Sequence, residues 1–98
     1  MARRKGGYGK VDYKIVRDST LTPESRLIYT VLATYSDKNR ESYPSIDQLI
    51  RDTGMSKDRF YKHMKFLTEK GIVKKSYVKT GPGNFDRRLL YQLCDFQN

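Results

Sequence analysis

Lys57, Asp58, Arg59, Tyr61, Lys62 and Lys65 fall within nine residues and form a cluster of long donors with one aromatic and one acid among them. Their chemistry is electrostatic rather than covalent. Lysine and arginine neutralise phosphates, and arginine, lysine and polar groups near a helix N-terminus reach base edges in a DNA major groove. The same composition suits the solvated face of any amphipathic helix, so the surrounding residues have to decide between the two. A second basic group supplies that context. Lys74, Lys75, Lys79, Arg87 and Arg88 surround a Thr80-Gly81-Pro82-Gly83-Asn84 turn, and with the first cluster they would make one continuous cationic surface. The candidate DNA-binding set is Ser45, Ser56, Lys57, Asp58, Arg59, Tyr61, Lys62, Lys65, Lys75, Lys79, Arg87 and Arg88.

Composition points the same way. Lysine and arginine number 20 against 11 aspartates and glutamates, for a formal charge of +9 over 98 residues. An excess of that size calls for a polyanion, and nucleic acid is the first candidate. An acidic membrane surface is the second, but no long apolar run and no strongly amphipathic basic helix supports it. The basic start Met-Ala-Arg-Arg-Lys runs into Gly-Gly-Tyr-Gly instead of an apolar core, so it is no secretory signal, and a cytoplasmic location is expected.

Catalytic and metal chemistry find little to work with. One cysteine, Cys94, and one histidine, His63, cannot build a disulfide framework or a zinc site within one chain. Cys94 reads as a small apolar residue, and His63 as one that packs beside its helix or touches a phosphate. Asp37, Asp47, Asp52 and Asp58 have no histidine partner, and the glycines at 81 and 83 lack the lysine and following helix of a phosphate-cradling loop. No enzyme activity, cofactor or small-molecule ligand is expected.

The elements that must position the basic residues can be read from caps and spacing. Ser45 and Gln48 form the start of one helix, with Pro44 ahead of it, Ile46, Leu49 and Ile50 at helical spacing, and Gly54 at its end. Met55 can tuck into the corner, and Ser56 caps the next helix. That spacing predicts a helix-turn-helix. In the second helix, about 57–70, Phe60, Met64 and Leu67 make an inward stripe with Ile72 beyond, and Gly71 ends it. Upstream, Thr22-Pro23 opens a supporting helix whose Ile28, Val31, Leu32 and Tyr35 should be buried with Leu27 at the edge. Val11 to Val16 alternates and predicts a short strand, with Val11, Tyr13 and Ile15 on one face. Asn39 to Pro44 reads as a polar loop, pinned by Tyr43 and Pro44. Residues 72–79 and 85–93 read as a hairpin in which Leu89, Tyr91 and Leu93 close the core while Arg88 and Gln92 point away.

One domain of 10–98 follows a basic arm of 1–9, which can reach into a minor groove or behave as an ordinary terminus. The expected fold is α+β, mainly α: a winged helix-turn-helix of three helices, a C-terminal wing at about 72–93 and a short N-terminal strand. A chain this short buries a little over ~60% of its unfolded surface, leaving no deep cavity.

Gly7-Tyr8-Gly9, Leu21, Arg26-Leu27-Ile28-Tyr29, Tyr43-Pro44-Ser45-Ile46 and Ser56-Lys57-Asp58-Arg59-Phe60-Tyr61-Lys62-His63, with Leu67 and Gly71-Ile72, carry a resemblance. Over roughly residues 7–79 the chain resembles winged helix-turn-helix domains of Gram-positive bacteria, their phages and mobile elements, including the heads of plasmid and phage replication initiators. The resemblance implies binding of double-stranded DNA through the third helix, in transcription or in replication. Such initiators usually carry a second domain. A complete chain of this length would favour a small regulator or accessory protein, and a fragment would favour an initiator's head. The partners implied are duplex DNA and, on a palindromic site, a second copy of the chain. The competing class is a winged helix that docks on an acidic protein. An RNA-binding winged helix is a third, for which the sequence offers no base-stacking platform.

Overall fold

In the computed structural model, which describes residues 10–79 and 87–94, the elements run α1 (Tyr13–Val16), α2 (Pro23–Tyr35), β1 (Glu41–Ser42), α3 (Ile46–Thr53), α4 (Lys57–Glu69), β2 (Val73–Lys79) and β3 (Arg87–Leu93). The fold is a winged helix-turn-helix, four helices with a three-stranded antiparallel sheet. The arm at 1–9 and the turn at 80–84 expected from the sequence lie outside the described residues, as do Phe85 and Asp86.

Local chemistry starts each of the three longer helices in the same way. Thr22, Ser45 and Ser56 each accept a hydrogen bond from the backbone N–H three residues on, satisfying one orphan donor of the first turn. Pro23 then occupies the first helical position of α2, where its missing N–H costs nothing. The corner between α3 and α4 uses Gly54 at φ 72°, whose N–H bonds to the Ile50 carbonyl at 2.9 Å, while Met55 is buried in the turn. At the far end of α4, Gly71 at φ 76° lets the Ile72 N–H reach the Leu67 carbonyl at 3.0 Å and its own N–H reach Thr68 at 3.1 Å. This paired closure turns the chain directly into β2.

α2 packs against both α3 and α4. Its buried face is Ser25, Ile28, Tyr29, Leu32 and Ala33, with Val31 and Tyr35 partly buried at the margin and Leu27 exposed. The stripe is therefore rotated from the expected one toward Tyr29. That rotation has a polar cause: the buried Tyr29 hydroxyl accepts the Asp12 N–H at 2.7 Å and Arg40 Nη2 at 3.1 Å. Arg40 Nη1 in turn donates to the Lys10 carbonyl at 2.7 Å. Arg40 itself sits at φ 65°, in the left-handed region that non-glycine residues seldom occupy, held there by these contacts and by the Leu93 N–H on its carbonyl at 2.9 Å.

Two expectations require correction. The alternation at Val11, Tyr13 and Ile15 predicts a strand, yet the segment forms the single helical turn α1. Asp12 caps it through its side chain on the Lys14 N–H at 3.0 Å, and its carbonyl accepts from Ile15 at 3.0 Å and Val16 at 3.2 Å. Only Ile15 is buried; Val11 is 41% and Tyr13 59% exposed, so the apparent apolar face does not exist. The third strand comes instead from within the expected polar loop. β1 pairs with β3 through Glu41↔Gln92 and Ser42↔Tyr91, giving the order β1-β3-β2. Here backbone pairing outweighs the poor strand propensity of a two-residue polar segment.

The core joins the layers: Phe60, Met64 and Leu67 from α4 meet Leu49, Ile28 and Leu32 from the other helices and Tyr91, Leu93 and Val73 from the sheet, all buried. Burying a large apolar side chain is worth about 1.5 to 3 kcal/mol each, so this cluster is what fixes α4's orientation.

Candidate nucleic-acid interface

α4 separates its residues cleanly. Phe60, His63, Met64 and Leu67 face inward, while Lys57, Asp58, Arg59, Tyr61, Lys62 and Lys65 are exposed. At about 100° per residue, Asp58, Lys62 and Lys65 lie opposite the buried stripe, with Tyr61 beside them. Tyr61 is 43% exposed and stands edge-on to Phe60, ring centroids 5.9 Å apart, so its direction is fixed from the core side. Asp58 lies in the first turn, where a carboxylate complements the helix dipole. Among the described residues no carboxylate is ion-paired to Lys57, Lys62 or Lys65.

Arg59 behaves differently. It lies on the flank of α4 nearest α2, and its Nη2 donates to Glu24 Oε2 at 3.2 Å. The same carboxylate oxygen stands 3.8 Å from His63 Nε2. His63 Nδ1 is 3.0 Å from Thr22 Oγ1, which already accepts the Ser25 N–H at 3.0 Å as the α2 cap. A histidine tautomer with its proton on Nε2 lets the Thr22 hydroxyl donate to Nδ1 while keeping its cap bond. His63 thus packs against the start of α2, one of its two expected roles. The Glu24 carboxyl is held below the usual carboxylate range, first by its own backbone N–H and then by Arg59.

The hairpin sorts its cations by register. Val73↔Leu93, Lys75↔Tyr91 and Tyr77↔Leu89 pair on the face that carries the core residues, whereas Lys74↔Gln92 and Val78↔Arg88 pair on the other. Lys75 and Tyr77 are thus on the α4 side, both exposed, Tyr77 at 67%. Arg88 is on the opposite face as expected, its guanidinium 5.9 Å from the centroid of the Tyr43 ring. Gln92 there donates to the Asn39 carbonyl at 3.0 Å. Lys79 and Arg87 pair in register, and their side chains lie outside the described atoms. Tyr91, between the sheet and α4, is wholly buried, and its phenol is pushed well up by burial first and by the phenols of Tyr61 and Tyr77 next.

The candidate residues therefore divide. Lys57, Asp58, Tyr61, Lys62 and Lys65 share the exposed side of α4, and Lys75 joins them from the strand packed beside it. Ser45 and Ser56 are exposed and serve as caps. Arg59 turns toward Glu24, and Arg88 is on the sheet's other face. Glu24, and the contact of Tyr43 with Arg88, were missed because each meets its arginine only through the tertiary fold, 35 residues away for Glu24.

A family model described as a helix-turn-helix domain matches residues 19–73, more than half of the chain. The chain belongs to this helix-turn-helix family. No curated protein and no solved structure matches it. The family match begins just ahead of α2 and ends at the first residue of β2, so it takes in α2, β1, α3 and α4, while α1 and nearly all of the hairpin lie outside it. Among the described residues no group of three or more His, Cys, Asp and Glu could hold a metal ion, and no helix is long and apolar enough to cross a membrane.

Proposed function

We propose that this helix-turn-helix domain binds double-stranded DNA, with the exposed side of α4 in the major groove and the hairpin against the neighbouring backbone. The observation that carries this reading is the placement of Lys57, Lys62 and Lys65 on the exposed side of α4 with Lys75 on the adjoining strand, in a chain of formal charge +9. Cations so arranged repel one another, and a phosphate backbone relieves that repulsion while releasing its counterions. Asp58 and Tyr61 stand among them as polar groups able to meet base edges. The role assigned is that of a transcriptional regulator, or a replication-initiation or accessory protein, of a Gram-positive bacterium, phage or mobile element.

The test is fluorescence anisotropy with a random-sequence duplex at rising salt. About five neutralised phosphates give a slope near −4 to −5 in log K against log salt. Absence of duplex binding, or binding that hardly weakens between low and moderate salt, would sink the reading. Selection of bound sequences from a random pool then reports assembly: a palindromic motif signals two copies on the DNA, and an unrepeated motif signals one.

A further inference from the structure

We propose that Glu24 positions Arg59 for reading a base, and that sequence discrimination depends on this carboxylate. The inference rests on the DNA-binding reading above. Glu24 is in the first turn of α2, yet its Oε2 meets Arg59 Nη2 at 3.2 Å, in the first turn of α4. The Arg59 side chain is 56% exposed and that of Glu24 30%, so the pair sits at the surface. An exposed pair of this kind contributes little to stability, which leaves its geometric effect as the reason to look further.

That effect is to remove freedom from a long side chain. An unrestrained arginine on a helix surface samples many rotamers and neutralises whichever phosphate is near. A guanidinium carries five N–H donors in a rigid plane, so a carboxylate that takes one of them narrows the directions the group can take and leaves others for the paired acceptors of a guanine edge. Glu24 has a second neighbour on the same oxygen: His63, whose Nδ1 is 3.0 Å from Thr22 Oγ1, stands with its Nε2 3.8 Å from Glu24 Oε2. Part of the ordering cost of Arg59 is thus met before DNA arrives. The same negative charge, set beside a cationic surface, also weakens its hold on phosphates in general. Glu24 should therefore lower affinity for random DNA while raising preference for the correct site, and its removal should move the two in opposite directions.

The experiment compares wild type, Glu24→Gln, Arg59→Ala and the double variant. Each is titrated by anisotropy against the selected site, its single-base variants and a random duplex, with melting temperatures recorded alongside. Glu24→Gln is expected to bind random duplex more tightly at low salt, to lose discrimination at one base position by roughly tenfold, and to melt with the wild type. In the Arg59→Ala background the same substitution should change discrimination no further. Unchanged discrimination in Glu24→Gln, or a loss that persists without Arg59, overturns the proposal. Failure of the underlying reading is seen separately, in wild type alone, as duplex binding with no salt dependence, and it would take this proposal with it.

Discussion

Replacing Tyr29 by phenylalanine removes one oxygen and keeps the ring, so it isolates the polar junction that joins α1, α2 and the segment before β1. The hydroxyl accepts two donors, the Asp12 N–H at 2.7 Å and Arg40 Nη2 at 3.1 Å. A lost neutral bond is worth about 0.5 to 1.5 kcal/mol and one to a charged partner about 1.5 to 3 kcal/mol. Both donors are only partly buried, so water recovers some of this, and Arg40 keeps its bond to the Lys10 carbonyl. The expected loss is about 2 kcal/mol, which for a domain of this size lowers the melting temperature by about 8 to 16 °C. Urea denaturation followed by circular dichroism, with thermal melts in parallel, measures it; the m-value should not change. Hydrogen exchange adds a local signature, because the Asp12 amide should lose protection before the amides of α4 do. A variant within about 0.5 kcal/mol of wild type, with Asp12 still protected, would show that the junction is not what holds α1 in place.

Other consequences are equally measurable. Phe60→Ala should cost about 3 to 5 kcal/mol, since Phe60 is wholly buried at the centre of the core, and chemical denaturation reports it directly. Lys62→Ala with Lys65→Ala should make the log–log salt slope shallower by about two in duplex titrations. Arg88→Ala, on the far face of the sheet beside Tyr43, should change that slope less. Glu24 has its carboxyl lowered from an ordinary value of 4.5, so its contribution to stability is complete above that value and is lost as pH falls through the folded-state value below it. Because the pair is exposed, wild type and Glu24→Gln should melt nearly together at neutral pH, and what small difference there is should close as pH falls from 4.5 through the folded-state value below it.

The parts of the fold legible in the sequence are those whose causes are local. Ser45, Ser56 and Thr22 bond within three residues of themselves, and Gly54 and Gly71 supply conformations that other residues resist, so the helix ends could be placed from type and spacing alone. The inward stripe of α4 was legible for the same reason. What could not be read depends on partners distant in the chain. α1 is a single turn, too short for periodicity to identify, and it is fastened by a tyrosine 17 residues away. β1 is two polar residues whose strand character comes only from β3, some 50 positions on. In the candidate site, the basic side of α4 followed from its pattern, whereas the capture of Arg59 by Glu24 has no trace in either segment.

Among the described residues the strand order β1-β3-β2 leaves β2 at the margin of the sheet, its outer row of backbone N–H and C=O groups without a neighbouring strand. Such an edge is a template on which a second chain can extend the sheet, and natural proteins guard it with charge, lysine above all. β2 carries Lys74, Lys75 and Lys79 along its seven residues. These lysines have a second occupation, then: an incoming edge of another copy would bring its own lysines against them, so each molecule repels its twin at the place where pairing would otherwise be easiest. Neutralising several at once would remove that guard, and a nucleic acid laid along the same strand would substitute for it.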